Sequence, residues 1–236
     1  MDLAMPTITE RLSAVKEQIH KTAVQFGRSA EDVILLAVSK TKPAEAIAEA
    51  YEAGQRDFGE NYLQEAIDKI DRLQPLDICW HFIGPIQSNK TRPIAEHFDW
   101  VHSIDRLKLA RRINDQRPES LPPINVCLQV NISEEASKSG VSPAELDDLA
   151  RDVAQLPNLH LRGLMSIPAA TNDPSQQRAS FAKLREAMES LNRQGHALDT
   201  LSMGMSGDLN SAIAEGSTMV RIGTAIFGSR HYPNHK

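Results

Sequence analysis

Val33-Ile-Leu-Leu-Ala-Val-Ser-Lys40 is the stretch on which the fold turns. It is apolar almost throughout, too short for a helix, and followed at once by Thr41-Lys42-Pro43. A strand buried on both faces reads this way, because a parallel sheet covered by helices leaves neither side polar. Upstream, Thr7 and Glu10 form a capping box, and Ile8, Leu12, Val15, Ile19 and Phe26 recur at helical spacing until Gly27. Downstream, Pro43 to Tyr51 reads as a helix stopped at Gly54, followed by a short strand near Arg56 to Gly59.

The same strand–helix unit then repeats to the end of the chain. Asn61 to Leu73 is helical and Cys79-Trp-His-Phe-Ile-Gly84 is the third strand. Ser88 is expected to cap a helix running to His97, before the strand Trp100-Val-His-Ser-Ile104. Asp105 is expected to cap the next helix, before the strand Ile124-Asn-Val-Cys-Leu-Gln-Val130. Ser142-Pro143 opens a helix in the favoured order. A sixth strand covers Leu159 to Ile167, a helix Pro174 to Asn192, a seventh strand Thr200 to Ser206, a short helix Asp208 to Gly216, and the eighth strand Thr218 to Thr224. Eight strands separated by helices in 236 residues predict an α/β fold, a single (β/α)8 barrel domain over residues 1–236. Only a dozen residues follow the eighth strand, too few for a full last helix, and the extra N-terminal helix is placed to fill that gap. The alternative is an open doubly wound sheet.

Composition narrows the function classes. The formal net charge is −5 with no clustered basic face, which argues against a nucleic-acid partner. No apolar run has the length of a membrane span, and the N-terminus lacks the basic and apolar regions of a signal peptide. Cys79 and Cys127 lie in apolar strands and read as buried free thiols, so the cytoplasm is the expected compartment. The eight histidines show no HExxH or paired spacing, and no metal site is expected. Neither a GxSxG elbow nor a Walker pattern is present, and Ala144-Glu-Leu-Asp-Asp148 reads as a solvated helix face.

Barrel sites lie at the C-terminal ends of the strands, with phosphate commonly held after strands seven and eight. Those ends are Lys40, Asn61, Gly84-Pro85, Ser103, Asn131, Met165-Ser166, Ser206 and Gly223-Thr224. Strand alternation sets Lys40 on the same face as Ile34, Leu36 and Val38, aimed into the barrel mouth. Beside apolar walls such an amine loses its proton more readily and attacks carbonyls. A lysine leaving a strand often just reaches water, but Lys42 already serves that purpose. Met203-Gly-Met-Ser-Gly-Asp208 and Arg221-Ile-Gly-Thr-Ala-Ile-Phe-Gly228 supply glycines that open backbone to an anion, with Ser206 and Thr224 as hydroxyl donors. Arg221, between Val220 and Ile222, is expected to face the interior, where a scaffold carboxylate would balance it.

Several stretches together carry a resemblance over almost the whole chain. They are Leu36-Ala-Val-Ser-Lys40, Phe58-Gly-Glu-Asn-Tyr62, His81-Phe-Ile-Gly-Pro-Ile-Gln-Ser-Asn-Lys90, Arg162-Gly-Leu-Met165, Leu201-Ser-Met-Gly-Met-Ser206 and Val220-Arg-Ile-Gly-Thr-Ala-Ile-Phe-Gly228. The sequence resembles the YggS/PROSC family of pyridoxal phosphate homeostasis proteins. The resemblance implies a barrel of the alanine-racemase N-terminal type and pyridoxal 5'-phosphate held as a Schiff base on Lys40. It implies phosphate contacts from Ser206, Gly223 and Thr224, Arg221 at the pyridine nitrogen, and Asn61 and Met165 lining the ring pocket. Lys138 stands where family members carry a second lysine, and Gly207 departs from the larger polar residue common among relatives.

Two function classes follow. The first is a carrier that stores, buffers or delivers pyridoxal phosphate, with apo-enzymes as recipients and no catalytic residues; it is read as a monomer, its oligomeric state open. The second is an amino-acid racemase or related enzyme. An arginine at the ring nitrogen favours an unprotonated, poor electron sink. Racemases of this fold type add a second domain with a catalytic tyrosine, and none of Tyr51, Tyr62 and Tyr232 is well placed for that role, although Tyr62 is not strictly excluded. A third reading, ranked below these two, is a Schiff-base aldolase acting on a sugar phosphate, which shares the lysine and the phosphate corner but does not need Arg221.

Overall fold

Closure of the sheet rests on the pairing of its first strand with its last. In the computed structural model, which describes residues 4–136 and 138–229, the strands are β1 (Ile34–Val38), β2 (Asp57–Glu60), β3 (Cys79–Phe82), β4 (Trp100–Ile104), β5 (Ile124–Gln129), β6 (Leu159–Met165), β7 (Thr200–Ser202) and β8 (Met219–Ile222). Each pairs in parallel with the next, and β8 returns to β1 with Arg221 opposite Leu36. The sheet is therefore a closed barrel, and the open doubly wound alternative is excluded.

Alternation sorts the side chains as the pattern requires. Leu35 and Ala37 of β1, like Val220 and Ile222 of β8, belong to the large core between barrel and helices. Leu36, Trp100, Cys127, Met165 and Met219 form a separate cluster inside the barrel. Fully burying a side chain such as Leu36 is worth about 1.5–3 kcal/mol, so a one-residue slip of β1 would be costly.

The outer ring comprises α1 (Ile8–Gln25), α2 (Ala44–Glu52), α3 (Leu63–Arg72), α4 (Thr91–His97), α5 (Leu107–Gln116), α6 (Leu146–Ala154), α7 (Pro174–Arg193), α8 (Leu209–Ala214) and α9 (Thr224–Phe227). After β8 the ring has only the four-residue α9 among the described residues. The amphipathic α1, capped by Thr7 and Glu10, packs on α2, α8 and α9 and fills the gap, as its sequence position led us to expect. Two expected caps are corrected. Arg106, not Asp105, precedes α5 and makes no side-chain cap; Asp105 turns toward a cavity instead. Ser88 starts a short 3-10 turn rather than capping α4, which begins at Thr91. No described helix is long and apolar enough to cross a membrane.

Candidate functional site

Lys40 leaves β1 between two anchored neighbours. Ser39 is fully buried on the helix side, where its hydroxyl donates to Glu60 Oε1 (3.0 Å) and its carbonyl accepts from Lys69 Nζ (2.8 Å). Lys69, on α3, also pairs with Glu60 and with Glu65, both at 2.7 Å. Glu65 in turn accepts the Thr41 backbone N–H at 2.6 Å. Thr41 has φ 66°, a left-handed conformation that a β-branched residue adopts only under constraint. One lysine-centred cluster thus grips the residues on both sides of Lys40. Burial pushes the Glu60 carboxyl up to about 6, against the opposing pull of Lys69.

A cavity of about 320 Å3 opens at this end of the barrel, and Lys40, Asn61, Ser206, Arg221, Gly223 and Thr224 all line it. Six of the seven residues singled out from the sequence therefore meet on one wall. The seventh, Met165, does not line the cavity; it is 1% exposed, inside the barrel with Leu36 and Cys127. Lys42 also reaches this cavity, with its Nζ donating to the Ser229 carbonyl at 2.8 Å. Lys138 lines a second cavity of about 580 Å3, which shares Asn61, Ile83 and Ile167 with the first.

Local chain geometry sets these positions. The Asn61 backbone lies so close to Gly84 that a Cβ there would sit 2.4 Å from the Asn61 carbonyl oxygen. The loop carrying Ser206 is stapled by Asp208, whose Oδ1 accepts from the Met205 N–H at 2.7 Å. At Gly207 an added Cβ would meet open space, so a larger side chain fits and the departure at this position leaves the loop intact.

Arg221 is buried and faces the interior as expected, but its acceptors correct the expectation of a carboxylate. Nη1 donates to Ser202 Oγ (2.7 Å) and Nη2 to the Ser166 carbonyl (3.0 Å), and no carboxylate lies within ion-pair distance of it among the described residues. Neutral acceptors suffice because five N–H donors can be shared among several partners. Burial pulls the guanidinium down to about 10, so it stays charged at neutral pH. Asn61 Oδ1 and Ser166 Oγ are buried without a hydrogen-bond partner among the described residues, a vacancy in bonding that a polar ligand at this mouth would relieve.

Sequence reasoning missed the supporting residues Ser202, Glu60, Lys69 and Glu65. It also missed a trio at the opposite end of the barrel, Asp57, Cys79 and His81, whose metal-ligating atoms lie within 4.8 Å of one another. The spacing Cys79-x-His81 was the available signal. The two cysteines are free, and burial pushes both thiols up, Cys127 to about 12.

Fold and cavity together define a parallel barrel with an amine, a fixed guanidinium and a hydroxyl–glycine corner at one mouth. The family model for the alanine racemase N-terminal domain matches residues 11–231. A pyridoxal phosphate homeostasis protein of Pseudomonas aeruginosa is 62% identical over 228 residues, covering 97% of this chain and 98% of that protein. One of Escherichia coli is 57% identical over 231 residues, covering 97% and 99%. Among solved structures, PipY of Synechococcus elongatus with pyridoxal phosphate bound matches with TM-score 0.81 and 41% identity over 94% of this chain and 100% of that one. Alanine racemase of Corynebacterium glutamicum matches in fold alone, with TM-score 0.71, 16% identity, and coverage of 95% of this chain and 64% of that one. The chain belongs to the alanine racemase N-terminal domain family and, within it, to the pyridoxal phosphate homeostasis proteins.

Proposed function

We propose that this protein binds pyridoxal 5'-phosphate in the Lys40 cavity, holds it through Lys40, and keeps or hands on the cofactor inside the cell without turning over a substrate of its own. The observation that carries the reading is the convergence of Lys40, Arg221, Ser206, Gly223 and Thr224 on one cavity. Bound there, the cofactor would supply an aldehyde for an amine, a ring nitrogen for a donor and a phosphate for hydroxyl and amide groups. The residues suit each part. Lys40 provides the amine. Arg221 can only donate, so it favours a ring nitrogen that carries no proton. Ser206 and Thr224 offer hydroxyls, and Gly207 and Gly223 leave the backbone approachable. Met165 packs with Leu36 and Cys127 inside the barrel, outside the lining of this cavity.

Racemase chemistry needs a second acid–base group facing Lys40. Neither Tyr51 nor Tyr62 lines the cavity, and Tyr62 is half exposed at the start of α3; Tyr232 lies outside the described residues. The test is direct. Protein purified with pyridoxal phosphate should be yellow, and borohydride should fix the cofactor on the peptide containing Lys40, read by mass spectrometry. Label on Lys42 or Lys138 alone would overturn the assignment.

A further inference from the structure

Arg221 carries a buried charge that makes no ion pair among the described residues; Asp208, in the loop after β7, is the carboxylate that acts on it at longer range. The hydrogen bonds of Arg221 lead across the barrel instead. Ser202 Oγ, which accepts from Arg221, lies 2.7 Å from His102 Nδ1. His102 Nε2 lies 2.9 Å from His81 Nδ1, and His81 Nε2 lies 2.8 Å from Asp57 Oδ1. Ser202, His102 and His81 are all fully buried, while Asp57 is partly exposed at the first position of β2, the opposite end of the barrel from the cavity.

The two ends fix the outer bonds of this path, and the inner ones follow when both imidazoles are neutral. A guanidinium only donates and a carboxylate only accepts. With both imidazoles neutral, His81 must place its proton on Nε2 for Asp57, and its Nδ1 must accept. His102 then carries its proton on Nε2, its Nδ1 accepts, and Ser202 donates its hydroxyl to that nitrogen. This leaves the Ser202 lone pairs facing Arg221. Trp100 stacks on His81 with ring centroids 5.3 Å apart. Such a chain polarises cumulatively, each bond strengthening the next.

We propose that Asp57 is a second anchor of Arg221 beside Asp208, acting through Ser202, His102 and His81 as a directed hydrogen-bond relay, and is thereby a positioning residue for the guanidinium at the cavity. The ligand that Arg221 reads is taken from the function proposed above; the relay itself is not.

The test uses the full chain in two arms. In the first, nitrogen NMR of labelled histidines should show His81 and His102 as neutral Nε2–H tautomers, and Asp57→Ala should shift His102 toward the Nδ1–H form. In the second, pyridoxal phosphate titrations compare Asp57→Ala, Asp57→Asn, Ser202→Ala and the Asp57→Ala/Ser202→Ala double variant. We expect Asp57→Ala to raise the Kd about tenfold, Asp57→Asn to raise it less, and the double variant to match Ser202→Ala, since the relay is already cut there. Melting temperatures within a few degrees of wild type would show that the partly exposed Asp57 is not needed for folding. Additive losses in the double variant, or tautomers indifferent to Asp57, would overturn the proposal. So would a stoichiometric metal ion lost on Cys79→Ser, because an ion on His81 Nε2 removes the proton that sets the direction. If wild type fails to bind pyridoxal phosphate, the proposed function falls and the tautomers alone decide the relay.

Discussion

Ser206 and Thr224 come from different loops, one after β7 and one after β8, and meet at the same wall of the cavity. Each hydroxyl can donate to an anion, and a hydrogen bond to a charged group is worth about 1.5–3 kcal/mol. Replacing either with alanine should therefore weaken retention of pyridoxal phosphate roughly tenfold to a hundredfold, and replacing both should weaken it more than either alone. The readout is the dissociation rate followed by the visible band. A double variant that releases the cofactor at the wild-type rate would move the phosphate to another part of the cavity. Asn61 belongs to the same scale for a different reason. Its buried Oδ1 has no partner among the described residues, and its backbone is seated against Gly84 so tightly that only glycine fits there. The sequence stretch Phe58-Gly-Glu-Asn-Tyr62 offers no hint of this contact, because Gly84 comes from the next strand's end.

The β2–α3 unit stands behind Lys40 and grips its neighbours through Glu60, Lys69 and Glu65. Glu60 is the part of this unit that pH can address. Its folded pKa of about 6 lies above the ordinary carboxyl value of 4.5, so between those values the folded state holds a proton that the unfolded chain has released. Stability from this group is fully present below about 4.5 and declines as pH rises to about 6. The expected loss is on the order of 2 kcal/mol across that window. Glu60→Gln should flatten this slope in chemical-denaturation curves taken from pH 4.5 to 6; an unchanged slope would place the proton elsewhere. Strands were legible in the sequence because a short apolar run between a helix and a turn residue has few other readings, as β1 shows. Caps were less so. Asp105 has the right chemistry for an N-cap, but the turn after β4 sends it to a cavity, a tertiary outcome that local pattern does not encode. Partners set by barrel closure were not legible at all. His102 and Ser202 are 100 residues apart and meet only because both point into the same interior.

At the scale of the whole molecule, the question is whether the barrel keeps its cofactor or works with it. Three features bear on the answer together. Arg221, still charged and held by Ser202 and the Ser166 carbonyl, lines the cavity and can only donate, so on the proposed binding mode it stands where an electron sink would need an acid. Among the tyrosines with described positions, neither Tyr51 nor Tyr62 lines the cavity as a second acid–base group. The cavity at Lys40 also lies beside the one that holds Lys138, sharing Asn61, Ile83 and Ile167 as lining, and neither is an enclosed cavity. A site that excludes water and closes on its substrate is what carbanion chemistry demands, and an open mouth works against it. On the proposed binding mode, the same cavity would let an incoming amine reach a group held on Lys40. Loaded protein offered a set of L- and D-amino acids in deuterated water should therefore give no stereospecific α-proton exchange, while an apo-enzyme mixed with it should gain activity as the carrier's visible band declines. Stereospecific exchange that vanishes in Lys40→Ala would overturn the carrier reading and assign the missing base to a group at this mouth, with Tyr62 the first residue to replace.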